Sequence, residues 1–397
     1  MPKLTFKHTK AACYAGYVSQ AIVNNLAPLL FITFGREYGI GLGRIAALIS
    51  INFTIQILVD MLAAVFVDRI GWRVCVVAAH LFSGLGLVGM SILPDLTPDP
   101  FVGLAIACGT YALGGGLIEV IISPIVEACP SDNKAAAMAL MHSSYCWGQA
   151  GVIALSTLWF FIFGVDSWRT LALVWALIPL ADAAFFCFVP IRTLAEEGRS
   201  TVNIGGLFKI GRFWVLLLLM TCAGASELAM SQWASAFAEA GLGVTKAVGD
   251  LAGPCAFAIF MGISRTLFAA FGSRLELRSV IATSSLICVC GYALAAFAPN
   301  PAISLAGCGI IGFSVGVMWP GTYSVASRII PGGGASMFSM LALAGDLGCI
   351  FGPGVVSVVS GGSADMSSGL AVAGLFPLII AAALFTMVAI DKKKKDS

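Results

Sequence analysis

The chain has 397 residues, of which 59% are hydrophobic and only 11% charged, whereas a soluble protein carries roughly 25% charged residues. Its mean hydropathy is +0.96 and its net charge +2. These values exclude an ordinary soluble domain, and the lack of a basic, aromatic-rich surface excludes a nucleic-acid binder. Repeated apolar stretches of helical length predict an all-α integral membrane protein with many passes.

Twelve membrane spans are predicted, at 11–34, 45–67, 74–93, 101–126, 135–163, 169–190, 213–238, 248–271, 279–298, 302–329, 335–360 and 367–390. The N-terminus, MPKLTFKHTK, leads straight into the first span without a small-residue cleavage site, so that span is read as uncleaved. An even number of spans puts both termini on one side. Eighteen of the 22 Lys and Arg residues fall on that side, and only Arg36, Arg44, Arg169 and Lys246 oppose them. The positive-inside bias therefore predicts cytoplasmic termini in a plasma (cell inner) membrane, with the basic run at 392–395 as a topology anchor. Most of the twelve cysteines lie inside apolar spans without a C-x-x-C spacing, which reads as reduced, buried thiols. No cofactor or metal set is expected.

The charged connector at 191–211 divides the chain into an N-terminal half, 1–190, and a C-terminal half, 212–397. An internal repeat supports the division. Gly116 and Pro124 in span four match Gly312 and Pro320 in span ten at an offset of 196, and Gly148 and Gly151 match Gly345 and Gly348 at 197. The implied architecture is two pseudo-symmetric six-helix bundles.

The stretch at 114–149 is the most polar hairpin of the N-terminal half. Glu119 lies inside an apolar run of span four, and His142, Tyr145 and Gln149 share one face of span five. A charge at the bilayer centre costs at least ~2.5 to 3.5 kcal/mol, so such groups face a cavity or a partner. Gln20, Asn24 and Pro28 share a face of span one; Asn52, Gln56 and Asp60 share one in span two. In the C-terminal half stand Glu227, Gln232 and Trp233 of span seven, Trp319 and Tyr323 stacked at i, i+4 in span ten, and Asp346 in span eleven. Amides and carboxylates suit hydroxyl groups, and aromatic rings suit the apolar face of a sugar. Spans four and seven contain no Lys or Arg, which makes Glu119 and Glu227 candidates to carry a proton. Asp60 and Asp346 are read equally as structural or functional, with Asp60 leaning to a structural role near the cytoplasmic end. Gly84, Gly86 and Gly89 fit G-x-G-x-x-G, but no strand precedes them and close helix packing explains them better.

After span two the residues Ala64, Asp68, Arg69, Gly71, Trp72 and Arg73 follow the pattern G-x-x-x-D-R-x-G-R-R/K, with Ala64 and Trp72 as departures. This loop resembles the 2–3 loop of the major facilitator superfamily, where it forms a charged cytoplasmic latch. Arg265 stands 197 residues after Asp68, followed by Arg274 and Arg278. Within the superfamily the chain is similar to the fucose permease branch of sugar–cation symporters. Asn24, Asn25 and Leu26 match that branch's N-N-L stretch, and Gly116, Glu119 and Pro124 match its glycine–glutamate–proline stretch. Pro28 stands where that branch has an aspartate, and His142 and Tyr145 replace its polar pair in span five.

The resemblance implies a secondary active transporter working by alternating access, with proton-coupled uptake of a sugar or similar small polar solute. It implies Glu119 as coupling residue and a monomer as the working form, and the place of Glu227 in span seven makes it the second carboxylate of the site. Asn24, Asn25, His142, Tyr145, Gln149, Gln232, Trp233, Trp319 and Tyr323 are the substrate-binding candidates, and Asp68, Arg69, Gly71 and Arg73 the cytoplasmic gate. The expected partners are the solute, a proton (sodium being the other cation) and membrane lipid. A proton crossing 100 mV supplies ~2.3 kcal/mol, or about fifty-fold accumulation. A drug–proton antiporter is the alternative within transport, and a membrane sensor on the same fold the alternative outside it. An enzyme is not expected, since His8, His80 and His142 lie far apart and no hydrolase or nucleotide motif is present.

Overall fold

The computed structural model describes residues 4–130, 134–192, 204–271, 276–330, 334–362 and 365–395. The charges Glu196, Glu197, Arg199 and Arg274 fall outside that set, as do the side chains of Asp68 and His142. Among the described residues, eleven helical stretches are long and apolar enough to cross a membrane. A bent pair, Phe6–Leu29 and Phe31–Tyr38, makes a twelfth. Span one is that pair. Spans two to six are Leu42–Ala63, Trp72–Leu96, Pro100–Val126, Ser143–Phe163 and Val165–Phe186; spans seven to twelve are Gly211–Gly241, Lys246–Phe268, Leu277–Phe297, Pro301–Ile329, Ser339–Val359 and Ser367–Met387. The predicted spans are all present. Span one differs most: its helix starts at Phe6 and bends by 48° at Leu30, just after Pro28, whose missing N–H weakens the ladder there.

The chain divides into two compact units, Met1–Glu197 and Gly198–Ser397. In the first, span four lies between spans two, three and one, while span three also packs on six and span one on five. Small residues set these approaches. A Cβ on Gly86 would collide with the Tyr111 backbone nitrogen, one on Gly114 with the Ala79 carbonyl, and one on Gly84 with the Leu180 side chain. The glycines of the G-x-G-x-x-G stretch are therefore packing surfaces. Gly71, at φ +103°, turns the chain between spans two and three in a conformation that L side chains rarely adopt.

The second unit repeats the pairing: span ten packs on eight and nine, nine on twelve, and seven on eleven. Gly312 meets the Phe257 backbone of span eight, as Gly116 meets Gln56 and Val59 of span two. Spans four and ten also start alike. Asp99 caps the first by accepting from Phe101 N ahead of Pro100, and Asn300 caps the second by accepting from Ala302 N ahead of Pro301. Spans seven and eight are less regular than their counterparts, with π turns at Phe237–Gly241 and Leu251–Cys255. Pro254 in the latter cannot donate to an α-helical ladder. Apolar side chains such as Leu58, Leu62, Phe161 and Ile162 face outward while Gln20, Asn24, Asn52, Gln56 and Gln149 are buried, the arrangement a lipid solvent demands.

Candidate functional site

Three helices of the N-terminal unit bring their polar faces together. Gln20 Nε2 on span one donates to Glu119 Oε2 on span four at 2.8 Å. One turn along span one, Asn24 Oδ1 accepts from Asn52 Nδ2 at 3.1 Å and from Gln56 Nε2 at 3.0 Å, both on span two. Gly115 and Gly116 make room for Gln56, because a Cβ at either would stand 3.0 to 3.5 Å from it. Tyr17 OH lies 3.1 Å from Ser123 Oγ, one further turn along the same pair of spans. Asp60, one turn beyond Gln56 on span two, is in electrostatic reach of Glu119. Three acceptor atoms of the cluster, Gln20 Oε1, Asn52 Oδ1 and Asp60 Oδ1, are buried with no hydrogen-bond partner among the described residues. Such atoms are uncommon in proteins.

The other candidates of this unit divide. Asn25 turns back on its own helix, Nδ2 donating to the Ala21 carbonyl at 2.9 Å. Gln149 is buried, at 2% exposure, and Tyr145 is half-buried against the core of spans one to four. His142 lies in the helix Lys134–Phe163, with its side chain outside the described residues. In the gate motif, Arg73 Nη1 donates to the carbonyls of Phe186 at 2.6 Å and Cys187 at 2.9 Å, and Nη2 to that of Val189 at 2.9 Å. It thus caps the end of span six, where a helix leaves carbonyls unpaired. Arg69 is exposed.

In the C-terminal unit the expectation for Glu227 needs correction. It is paired: Arg265 Nη2 stands 3.2 Å from Glu227 Oε2, with the side chains 21% and 12% exposed. Arg265 lies within the helix Ala256–Phe271 of span eight and supplies the cation that span seven lacks. Trp233 is 1% exposed and its indole N–H donates to the Pro353 carbonyl at 3.0 Å, so its surface and its donor are both engaged in tying span seven to span eleven. Gln232 is buried beside it at 3% exposure. Trp319 and Tyr323 meet edge-on rather than stacked, with centroids 6.5 Å apart and planes at 65°; Gly345 leaves the space that Trp319 occupies. Asp346, next to it, is half-buried. Among the described residues no group of three His, Cys, Asp or Glu side chains is placed to hold a metal ion.

The sequence matches the family model described as Major Facilitator Superfamily over residues 13–353. The chain belongs to the Major Facilitator Superfamily. It is therefore a multi-pass membrane transporter and not an enzyme. No curated protein matches it significantly. Among solved structures, this superfamily member is similar to a mutant of the nucleoside transporter NupG, with a TM-score of 0.76 at 14% identity, covering 96% of this chain and 99% of that one. The unmutated NupG structure gives 0.72 at 15% identity, with 96% and 98% covered. A mutant of the E. coli fucose:proton symporter FucP gives 0.66 at 14% identity, with 96% and 99% covered. At such identities the likeness speaks for the fold.

Sequence reasoning left Gln20, Asn52 and Gln56 outside the candidate site, although it placed them on the right helix faces. Their signal was available: amides at i, i+4 spacing on two apolar spans. It missed the Glu227–Arg265 pair by looking for a cation within span seven alone, and it gave no weight to Asp182, an acid inside span six.

Proposed function

We propose that this transporter takes up a sugar-like, polyhydroxylated solute by alternating access, driven by a proton carried on Glu119. The observation that carries the proposal is the contact between Gln20 and Glu119 beside the amide cluster of Asn24, Asn52 and Gln56. A primary amide presents a donor at one end and an acceptor at the other. With Glu119 ionised, the N–H end of Gln20 is its partner. With Glu119 protonated, the acid becomes a donor and the carbonyl end of Gln20 is the better partner. A rotation of one amide then reports the proton to the neighbouring groups, exchanging an acceptor for a donor where a solute hydroxyl would bind.

The three buried acceptors, Gln20 Oε1, Asn52 Oδ1 and Asp60 Oδ1, suit hydroxyl donors and favour a polyol over an amphipathic drug. Gln149, Tyr145 and His142 of span five are further contacts in this reading. Gln232, Trp319 and Tyr323 are the C-terminal unit's candidates, with Trp233 as an anchor and Glu227 held by Arg265. Arg73 and Gly71 shape the gate, and the termini are cytoplasmic by the distribution of basic residues. A nucleoside is a second reading. It is favoured by the higher similarity to a nucleoside transporter than to a fucose:proton symporter, and its ribose offers the same hydroxyl chemistry.

The test is a panel of labelled hexoses, deoxyhexoses and nucleosides offered to proteoliposomes under an imposed inward proton gradient. The reading expects uphill accumulation of at least one of them, abolished by a protonophore. Accumulation of amphipathic cations in exchange for protons, with no polyol moved, would contradict it.

A further inference from the structure

A second buried polar contact in the N-terminal unit is separate from the amide cluster. His80 of span three and Asp182 of span six are 0% and 4% exposed, and His80 Nε2 lies 3.0 Å from Asp182 Oδ2. The other ring nitrogen, Nδ1, lies 2.7 Å from the Val76 carbonyl oxygen. A carbonyl only accepts, so Nδ1 must carry a hydrogen to make that contact. With this hydrogen alone on a neutral ring, Nε2 and Oδ2 are two buried acceptors 3.0 Å apart, and neither has a hydrogen-bond partner among the described residues. One further proton resolves the arrangement, whether it rests on the ring or on the acid.

The surroundings seal the pair. Phe186 packs on the imidazole at a centroid distance of 5.1 Å. From span one Gly16 closes the remaining side, since a Cβ there would stand 3.1 Å from Nε2 and 2.8 Å from Ile122 of span four. The Cys13 thiol of span one feels the charge of Asp182. Arg73, two turns earlier on span three, is engaged by the carbonyls at the end of span six.

We propose that His80 and Asp182 form a proton-binding site that works as a latch between spans three and six. With its proton the latch joins the two spans; without it two acceptors oppose each other in an apolar environment and the contact opens. Gly16 and Gln20 are one turn apart on span one, so the helix that covers this proton also carries the amide touching Glu119. The inference does not depend on the solute carried or on the role of Glu119.

The chain has only three histidines, so ¹⁵N-imidazole spectra of the purified protein can be assigned with His8→Gln and His142→Gln. The latch requires that His80 near neutral pH shows either both nitrogens protonated or Nδ1 protonated with Nε2 accepting from the acid. A neutral ring with its hydrogen on Nε2 and a bare Nδ1 would overturn the proposal. Thermal melting in detergent gives an independent reading. Asp182→Asn supplies a permanent N–H donor and should keep the neutral-pH Tm. Asp182→Ala leaves Nε2 unpaired and should lower Tm by roughly 5 °C. Equal Tm values for the two variants would also overturn it.

Discussion

Asn24 shows how much a single side chain can organise inside a membrane. Its one carbonyl oxygen satisfies an amide from each of two positions on span two, and both donors lose their partner together if it is removed. Asn24→Ala should raise the KM of the transported solute about tenfold, since an unsatisfied buried donor costs ~1 to 3 kcal/mol. Kinetics on protein that stays monodisperse on a sizing column would check this; an unchanged KM would separate Asn24 from the solute. Glu227 and Arg265 make a different argument. Removing one member of a buried ion pair strands the other charge, whereas removing both is often nearly neutral. Arg265→Met alone should therefore destabilise by about 3 kcal/mol, and Glu227→Gln combined with Arg265→Met should recover most of the melting temperature. Glu119 and the faces of spans one and two were legible in the sequence, because polar residues in apolar spans stand out at helical spacing. Which of them touch was not. A side chain such as Asn25 bonds its own helix, and a cation such as Arg265 arrives from a span remote in sequence.

Helix ends and helix bends record the local chemistry of the chain. The Asp99–Pro100 and Asn300–Pro301 starts, the Gly71 turn and the small-residue approaches all follow from residue type. Glu276 caps span nine, accepting from Ser279 N at 2.6 Å and Arg278 N at 3.3 Å. These bonds, led by that with Ser279, hold its carboxyl below the usual glutamate range. A group depressed on folding stabilises above its unfolded pKa, and that contribution is lost as pH falls through the folded value. The cap should thus weaken only on acidification below about pH 4, by a small amount because the site is exposed. Glu276→Gln should remove that acid-side dependence from the thermal melting profile while leaving the neutral-pH Tm nearly unchanged; an identical acid profile would deny Glu276 the role. The bend at Leu30 and the π turns of spans seven and eight were not legible. Proline marks where a ladder is weakened, but packing decides whether the helix bends, widens or carries on, as it does through Pro124.

At the scale of the molecule, hydropathy alone predicted twelve spans, and offsets of 196 and 197 residues predicted a duplication. Both units now show matched helix pairings and matched glycine seats at Gly116 and Gly312. Fold was readable because a bilayer allows few solutions: backbone groups must pair within helices, and helix faces must sort between lipid and protein. Substrate is far less readable, since a handful of amides and carboxylates can bind many hydroxylated solutes. The central claim is that Glu119, read by Gln20, couples a proton to solute movement. Proteoliposomes with the wild type and with Glu119→Gln, under an imposed proton gradient, test it most directly. The account predicts that the variant loses gradient-driven accumulation yet still exchanges preloaded solute at a substantial rate. Uphill accumulation by Glu119→Gln at the wild-type level would contradict it and place the coupling proton elsewhere.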